Sequence, residues 1–121
     1  MYNIRVVVTG GRTYKNQKLV YAALDKLYNN QIGLGSFTLI EGGATGADTL
    51  AREWSYLYKD VILLSKEADW IKYKLAAGSK RNLEMVKLEP DICLAFPGGI
   101  GTQDMMERCK QHNIKVVKIG W

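Results

Sequence analysis

The sequence predicts a Rossmann-like, three-layer α/β/α domain built on a mostly parallel central sheet of about five strands. Three observations lead there. Short runs rich in β-branched residues alternate with stretches whose apolar residues recur at helical spacing. These runs are almost wholly apolar, as strands are when a parallel sheet is covered on both faces. Three of them end in glycine clusters, and with right-handed crossovers those clusters all emerge at the carboxyl edge of the sheet.

The elements follow in order. Ile4–Thr9 is a β-branched run stopped by Gly10-Gly11, the first strand. From about Asn16 to Tyr28, Leu19, Val20, Ala23, Leu24 and Leu27 mark one helical face. Asn29 to Ser36, with two glycines, is a loop, and Phe37–Ile40 is a strand ended by Glu41-Gly42-Gly43. Ala47, Leu50, Ala51, Trp54 and Leu57 define a second helix with Trp54 on its core face, and Val61–Leu64 a third strand. Asp69 to Ala77 carries a helical turn or more, followed by a helix from Ser79 to Leu88 that Ser79 can cap. Asp91–Phe96 is a strand, Thr102 to His112 a helix and Lys115–Ile119 a fifth strand. There is no internal repeat, linker or low-complexity segment, so the 121 residues are expected to form one domain.

Hydrophobic content of 47% and charged content of 24% suit a soluble globular chain. No apolar run is long enough to cross a bilayer, and the N-terminus enters a strand without a signal-peptide pattern. A cytosolic protein with no membrane partner is expected. The net charge of +5 suits an anionic partner, a phosphorylated small molecule or nucleic acid, without choosing between them. Cys93 and Cys109 fall in apolar and helical patterns and read as core thiols. With His112 the only histidine, neither a metal site nor a histidine triad nor any other cofactor is expected.

Chemistry is concentrated at the glycine-rich strand ends. Glycines there bare backbone N–H groups to phosphate oxygens, and a helix N-terminus behind each loop adds unpaired donors. The candidate cradle is Gly10 and Gly11 from the first loop, Gly43, Ala44 and Gly46 from the second, and Pro97, Gly98, Gly99, Gly101 and Thr102 from the third. None of the three matches a dinucleotide fingerprint or a P-loop. Several side chains carry two readings. Arg12 is a solvated loop charge or a phosphate fork. Thr102 and Asp48 are helix caps, or contacts to a phosphate and a ribose hydroxyl respectively. Glu41 is a surface acid, or one that bonds sugar hydroxyls or acts chemically. Asp69 and Trp70 are a cap and a packing residue, or Trp70 stacks a base. Glu84 is an i,i+3 partner of Arg81 or a catalytic acid.

Four segments, VVVTGGRTY, EGGATGADTLAREW, ADWIKYKLAAGSKRNLEM and AFPGGIGTQDM, resemble the YspA/cpYpsA-related branch of the SLOG superfamily, in order and over nearly the whole chain. The resemblance implies a small Rossmann-like protein of bacteria or their phages. The wider superfamily contains the LOG lysine decarboxylase-like phosphoribohydrolases, the DNA-processing protein DprA and domains proposed to sense nucleotide-derived signals. In the LOG enzymes the late motif is P-G-G-x-G-T-x-x-E with a catalytic final Glu. Here that place is Met105, and Asp104 precedes it, turned about 100° around the helix. Arg81-Asn82-Leu83-Glu84-Met85 resembles the LOG R-K-x-x-M, which implies that Arg81, with Asn82 beside it, touches phosphate or ribose. Lys74 stands where the branch usually has glycine, and Ser79 where it has proline. The resemblance also implies a homo-oligomer, since related enzymes complete their sites across a dimer.

Three functions are weighed. The first is binding of a nucleotide or nucleotide-derived molecule, including an ADP-ribose-type signal that the protein senses or, in a phage, sequesters. The second is N-glycosidic cleavage, with Asp104, Glu84 or Glu41 assisting departure of the base and Arg81 holding phosphate. The third is single-stranded DNA binding, which the charge allows but no basic-aromatic stripe supports.

Overall fold

The computed structural model describes residues 2–121. Strands β1 (Ile4–Thr9), β2 (Phe37–Glu41), β3 (Val61–Ser65), β4 (Ile92–Ala95) and β5 (Lys115–Lys118) form one sheet in the order β3-β2-β1-β4-β5. Every pairing is parallel, with Val6 set between Leu39 and Ile92 at the centre. The chain builds outward from β1 to β3, then crosses back to β4 on the other side of β1. That reversal makes the gap above β1 and β4 the topological switch point, where open α/β sheets take ligands.

Helices α1 (Gln17–Gln31) and α2 (Ala47–Ser55) cover one face. There Val6, Val8, Leu39 and Phe96 pack with Val20, Leu24, Ala51 and Trp54. The short α3 (Trp70–Tyr73) leads through a 3₁₀ turn, Lys74–Ala76, into α4 (Ala77–Lys87). Together α4 and α5 (Ile100–Gln111) cover the opposite face, packing Met85, Val86, Met105 and Cys109 on Val7, Ile40 and Cys93. Alternate residues of β1 thus enter different cores, which is why that strand is apolar throughout.

The structure departs from expectation at several ends. Asn16 caps α1 by accepting from the Leu19 N–H at 3.2 Å, but the helix runs on to Gln31. The buried Gln31 amide donates to the carbonyls of Ser36 and Tyr2, so the loop itself holds the extra turn. Helix α2 stops at Ser55, whose hydroxyl donates to the Arg52 carbonyl, and Leu57 is left 62% exposed instead of on the core face. Tyr58 takes that place, its hydroxyl and the Trp54 indole both donating to Asp25 of α1, at 2.9 and 2.8 Å. On the edge strand β3, Ile62 is 48% exposed, so only the inner strands are covered on both faces. Ser79 does not cap α4. The helix begins at Ala77 with no side-chain cap, because the 3₁₀ turn leads directly into it, and the Ser79 hydroxyl accepts from Arg108 at 2.6 Å.

Candidate functional site

Three loops meet at the switch point, and their backbones are stitched together. The Gly11 N–H donates to the Pro97 carbonyl at 2.8 Å, and the Ala47 N–H to the Gly11 carbonyl at 3.2 Å. The Thr45 hydroxyl donates to the Arg12 carbonyl at 2.9 Å. Such close approach needs glycine. A Cβ on Gly11 would lie 2.9 Å from the Pro97 oxygen, and one on Gly46, at φ +75°, would strike the Gly11–Arg12 backbone. Gly99 and Gly101 differ. A Cβ on either would meet no atom within 4 Å, so no neighbour in the fold demands glycine there. Those two positions leave the backbone at the start of α5 bare toward open space.

Around this junction lies a cleft of about 1150 Å³. Gly10, Gly11 and Arg12 line it from the β1 loop, Ala44 and Asp48 from the β2 loop and α2. Trp70, Arg81 and Asn82 line it from the α3–α4 segment, and Pro97, Gly98, Gly99, Gly101, Thr102 and Asp104 from the β4 loop and α5. The structure therefore brings thirteen of the sequence-proposed binding residues, together with Asp104, to one concavity. Gly43, Gly46 and Asp69 lie outside the lining, as do Glu41 and Glu84. Asp69 caps α3, accepting from the Lys72 N–H at 3.0 Å. Glu84 makes no ion pair with Arg81 and faces a small separate depression beside Glu67 and Lys80.

Neither Asp48 nor Thr102 is a helix cap, because each helix starts earlier, after Gly46 and Gly99. The buried Asp48 carboxylate instead accepts from the N–H groups of Gly42 and Ala44, at 3.2 and 3.3 Å, and so shapes the β2 loop. Burial pushes its pKa up to about 6, against the opposing pull of Arg81. Glu41 has no exposure at all and is not the surface acid expected. It accepts from the Gly43 N–H at 2.7 Å and bonds the Ser65 hydroxyl, and burial raises its pKa to about 7.

Arg81 lies flat against Gly42, donating to its carbonyl and, at 3.0 Å, to Asn82. A Cβ on Gly42 would sit 2.5 Å from the guanidinium, so this glycine, which sequence reasoning passed over, makes room for the arginine. Arg12 is less constrained. Its guanidinium makes no side-chain hydrogen bond among the described residues and rests 5.0 Å from the centre of the Trp70 ring, which is 46% exposed. On α5, Thr102 is buried beside Gly98, and Met105 is sealed in the core against Cys93 and Cys109. The rotation of one residue brings Asp104 to the cleft, where it accepts from Asn82 and Arg108, both at 3.0 Å.

The cleft also contains residues that sequence reasoning missed. Tyr14, Leu75 and Ile100 line it. Tyr14 stacks on Phe96 at 5.5 Å, and its buried hydroxyl has no partner among the described residues. The signal for Tyr14 was its place three residues past Gly10-Gly11. Leu75 and Ile100 gave none, since exposed apolar residues look the same in sequence as core ones.

An all-parallel sheet in 3-2-1-4-5 order, with glycine loops gathered over its switch point, defines a Rossmann-like α/β protein. More narrowly, the chain belongs to the YspA, cpYpsA-related SLOG family, whose model matches residues 4–73. It is 37% identical over 123 residues to the Gene 61 protein of Mycobacterium phage D29, across 96% of each chain. The X-ray structure of TM1055, a Northeast Structural Genomics Consortium target, shares the fold with a TM-score of 0.68 at 14% identity, over 96% of this chain and 72% of that one. Among the described residues no helix is long and apolar enough to cross a membrane.

Proposed function

We propose that the cleft binds a nucleotide or nucleotide-derived small molecule, with its phosphate on the glycine loops and the start of α5. One observation carries this reading: Gly99 and Gly101 have no packing reason to be glycine, yet they bare the first turn of α5 to a cleft that Arg12 and Arg81 also line. Backbone donors, the positive end of a helix and two guanidiniums together suit a phosphate. Trp70 at the mouth offers a face to a base. Family membership supports a nucleotide-related ligand, and the phage relative leaves room for an ADP-ribose-type signal held in sequestered form. Calorimetric titration with AMP, ADP-ribose and the phosphate-free nucleoside tests this. Binding that requires the phosphate is expected, and mass spectrometry of small molecules released from the denatured protein would name the class. Failure of every phosphorylated ligand to bind would overturn the reading.

Retention of the ligand intact fits the site better than its cleavage. The place of the LOG glutamate is the sealed Met105, and the neighbouring Asp104 carboxylate is already bonded to two donors. Release of free base from AMP by the purified protein would reverse that preference.

A further inference from the structure

Asp104 is an anion in a cleft whose other features favour anions, and this needs a purpose. The carboxylate is not merely a helix-surface charge paired to its neighbour. It is clamped from two elements, because Asn82 of α4 and Arg108 of α5 both donate to Oδ2 at 3.0 Å. Arg108 is in turn fixed by the Ser79 hydroxyl, and Asn82 by the Gly101 carbonyl at 3.2 Å. Among the described residues nothing donates to Oδ1, and Asp104 lines the cleft. The arrangement holds a rigid acceptor ready for a group that is not part of the protein.

That group must be a donor, since a phosphate oxygen beside Oδ1 would be repelled. Its distance from the phosphate is also fixed. Asp104 lies three residues beyond Gly101 and five beyond Gly99, about 4.5 to 7.5 Å along the axis of α5. The span matches a pentose, from its phosphorylated carbon to its ring hydroxyls. We infer that Asp104 reads the ribose hydroxyls of the bound nucleotide and so selects ribonucleotides over their deoxy forms. This rests on the nucleotide reading of the cleft.

The test compares AMP with its 2′-deoxy and 3′-deoxy analogues by calorimetry, in the wild-type protein and in Asp104→Asn. A hydrogen bond to a charged acceptor predicts roughly 10- to 100-fold weaker binding of at least one deoxy analogue by the wild type. In Asp104→Asn the Asn82 and Arg108 donors hold the amide oxygen at the Oδ2 place, which turns the amide nitrogen toward the cleft. A charged acceptor becomes a neutral donor, which a ribose hydroxyl can still meet with its oxygen, so the preference for ribose should shrink to a few-fold while the shape of the site is kept. A merely structural role would instead weaken all three ligands equally and leave the preference intact, which would overturn the assignment. Equal binding of AMP and both deoxy analogues by the wild type would overturn it too, leaving the nucleotide reading in place. Absence of AMP binding sinks the assignment whether or not ADP-ribose binds, and only absence of both touches the broader reading.

Discussion

Glu41 is a carboxyl held out of water with no ion pair among the described residues, only the Gly43 N–H and the Ser65 hydroxyl to bond. Its pKa rises from 4.5 to about 7, so the folded chain holds a proton that the unfolded chain releases. The associated stability is fully present below about pH 4.5 and is lost as pH climbs toward 7. Asp48 behaves alike between 3.8 and about 6. Glu41→Gln keeps both bonds without the charge, so it should stabilise the protein at pH 8 by on the order of 3 kcal/mol and flatten the pH profile. Urea denaturation at pH 5, 6.5 and 8 checks this, and an unchanged slope would mean that Glu41 ionises without cost. The sequence marked Glu41 as an acid out of place beside glycines. Its task was not legible, because Ser65 is 24 positions away on the neighbouring strand and only the β2–β3 register brings the two together. Asp104 is the converse case. The helical rotation that set it apart from the LOG glutamate is what turns it to the cleft and buries Met105.

The glycine loops were the most legible feature of the chain, yet their glycines do two different jobs that composition cannot separate. Gly46 serves the fold, with φ +75° and the backbone of Gly11–Arg12 where its side chain would go. Gly101 sits inside α5 with open space around it. The same substitution should therefore act in opposite directions. Gly46→Ala is expected to cost more than about 2 kcal/mol, from left-handed strain plus the clash. Gly101→Ala should gain about 0.5–1 kcal/mol, because alanine is the better helix former. It should nonetheless weaken phosphate-dependent binding, since the added methyl stands where the ligand approaches. Thermal melts and AMP titrations of both variants check the pair. Stabilisation by Gly101→Ala with undiminished AMP affinity would remove the argument that its bareness serves a ligand. Cap positions were less legible. Ser79 and Thr102 have the right chemistry for caps, but the 3₁₀ turn and Gly99 start their helices two residues earlier.

Strand count, parallel pairing and the carboxyl-edge cleft all follow from periodicity and handedness, and the structure has each of them. Which strands lie at the edges does not follow, because apolar Val61–Ser65 reads like an inner strand until its one-sided pairing is seen. The same blindness hid the rim of the cleft. Leu75 is 98% and Ile100 91% exposed, on either side of the mouth, and Ile71 adds a further bare side chain on α3. Fully burying each such side chain is worth about 1.5–3 kcal/mol, so a rim of this kind favours a covering surface. We propose that a second copy laid against the mouth, in the homo-oligomer that the resemblance implies, is that surface. Sedimentation velocity should then show a dimer that dissociates on dilution. Replacing Leu75 and Ile100 together by Glu should leave a monomer with an unchanged circular dichroism spectrum, because neither side chain packs in the core. Reversible association also predicts a melting temperature that rises with protein concentration in the wild type and stays flat in the double variant. A wild-type monomer at every concentration, or a double variant that still dimerises, would place any self-association elsewhere on the surface.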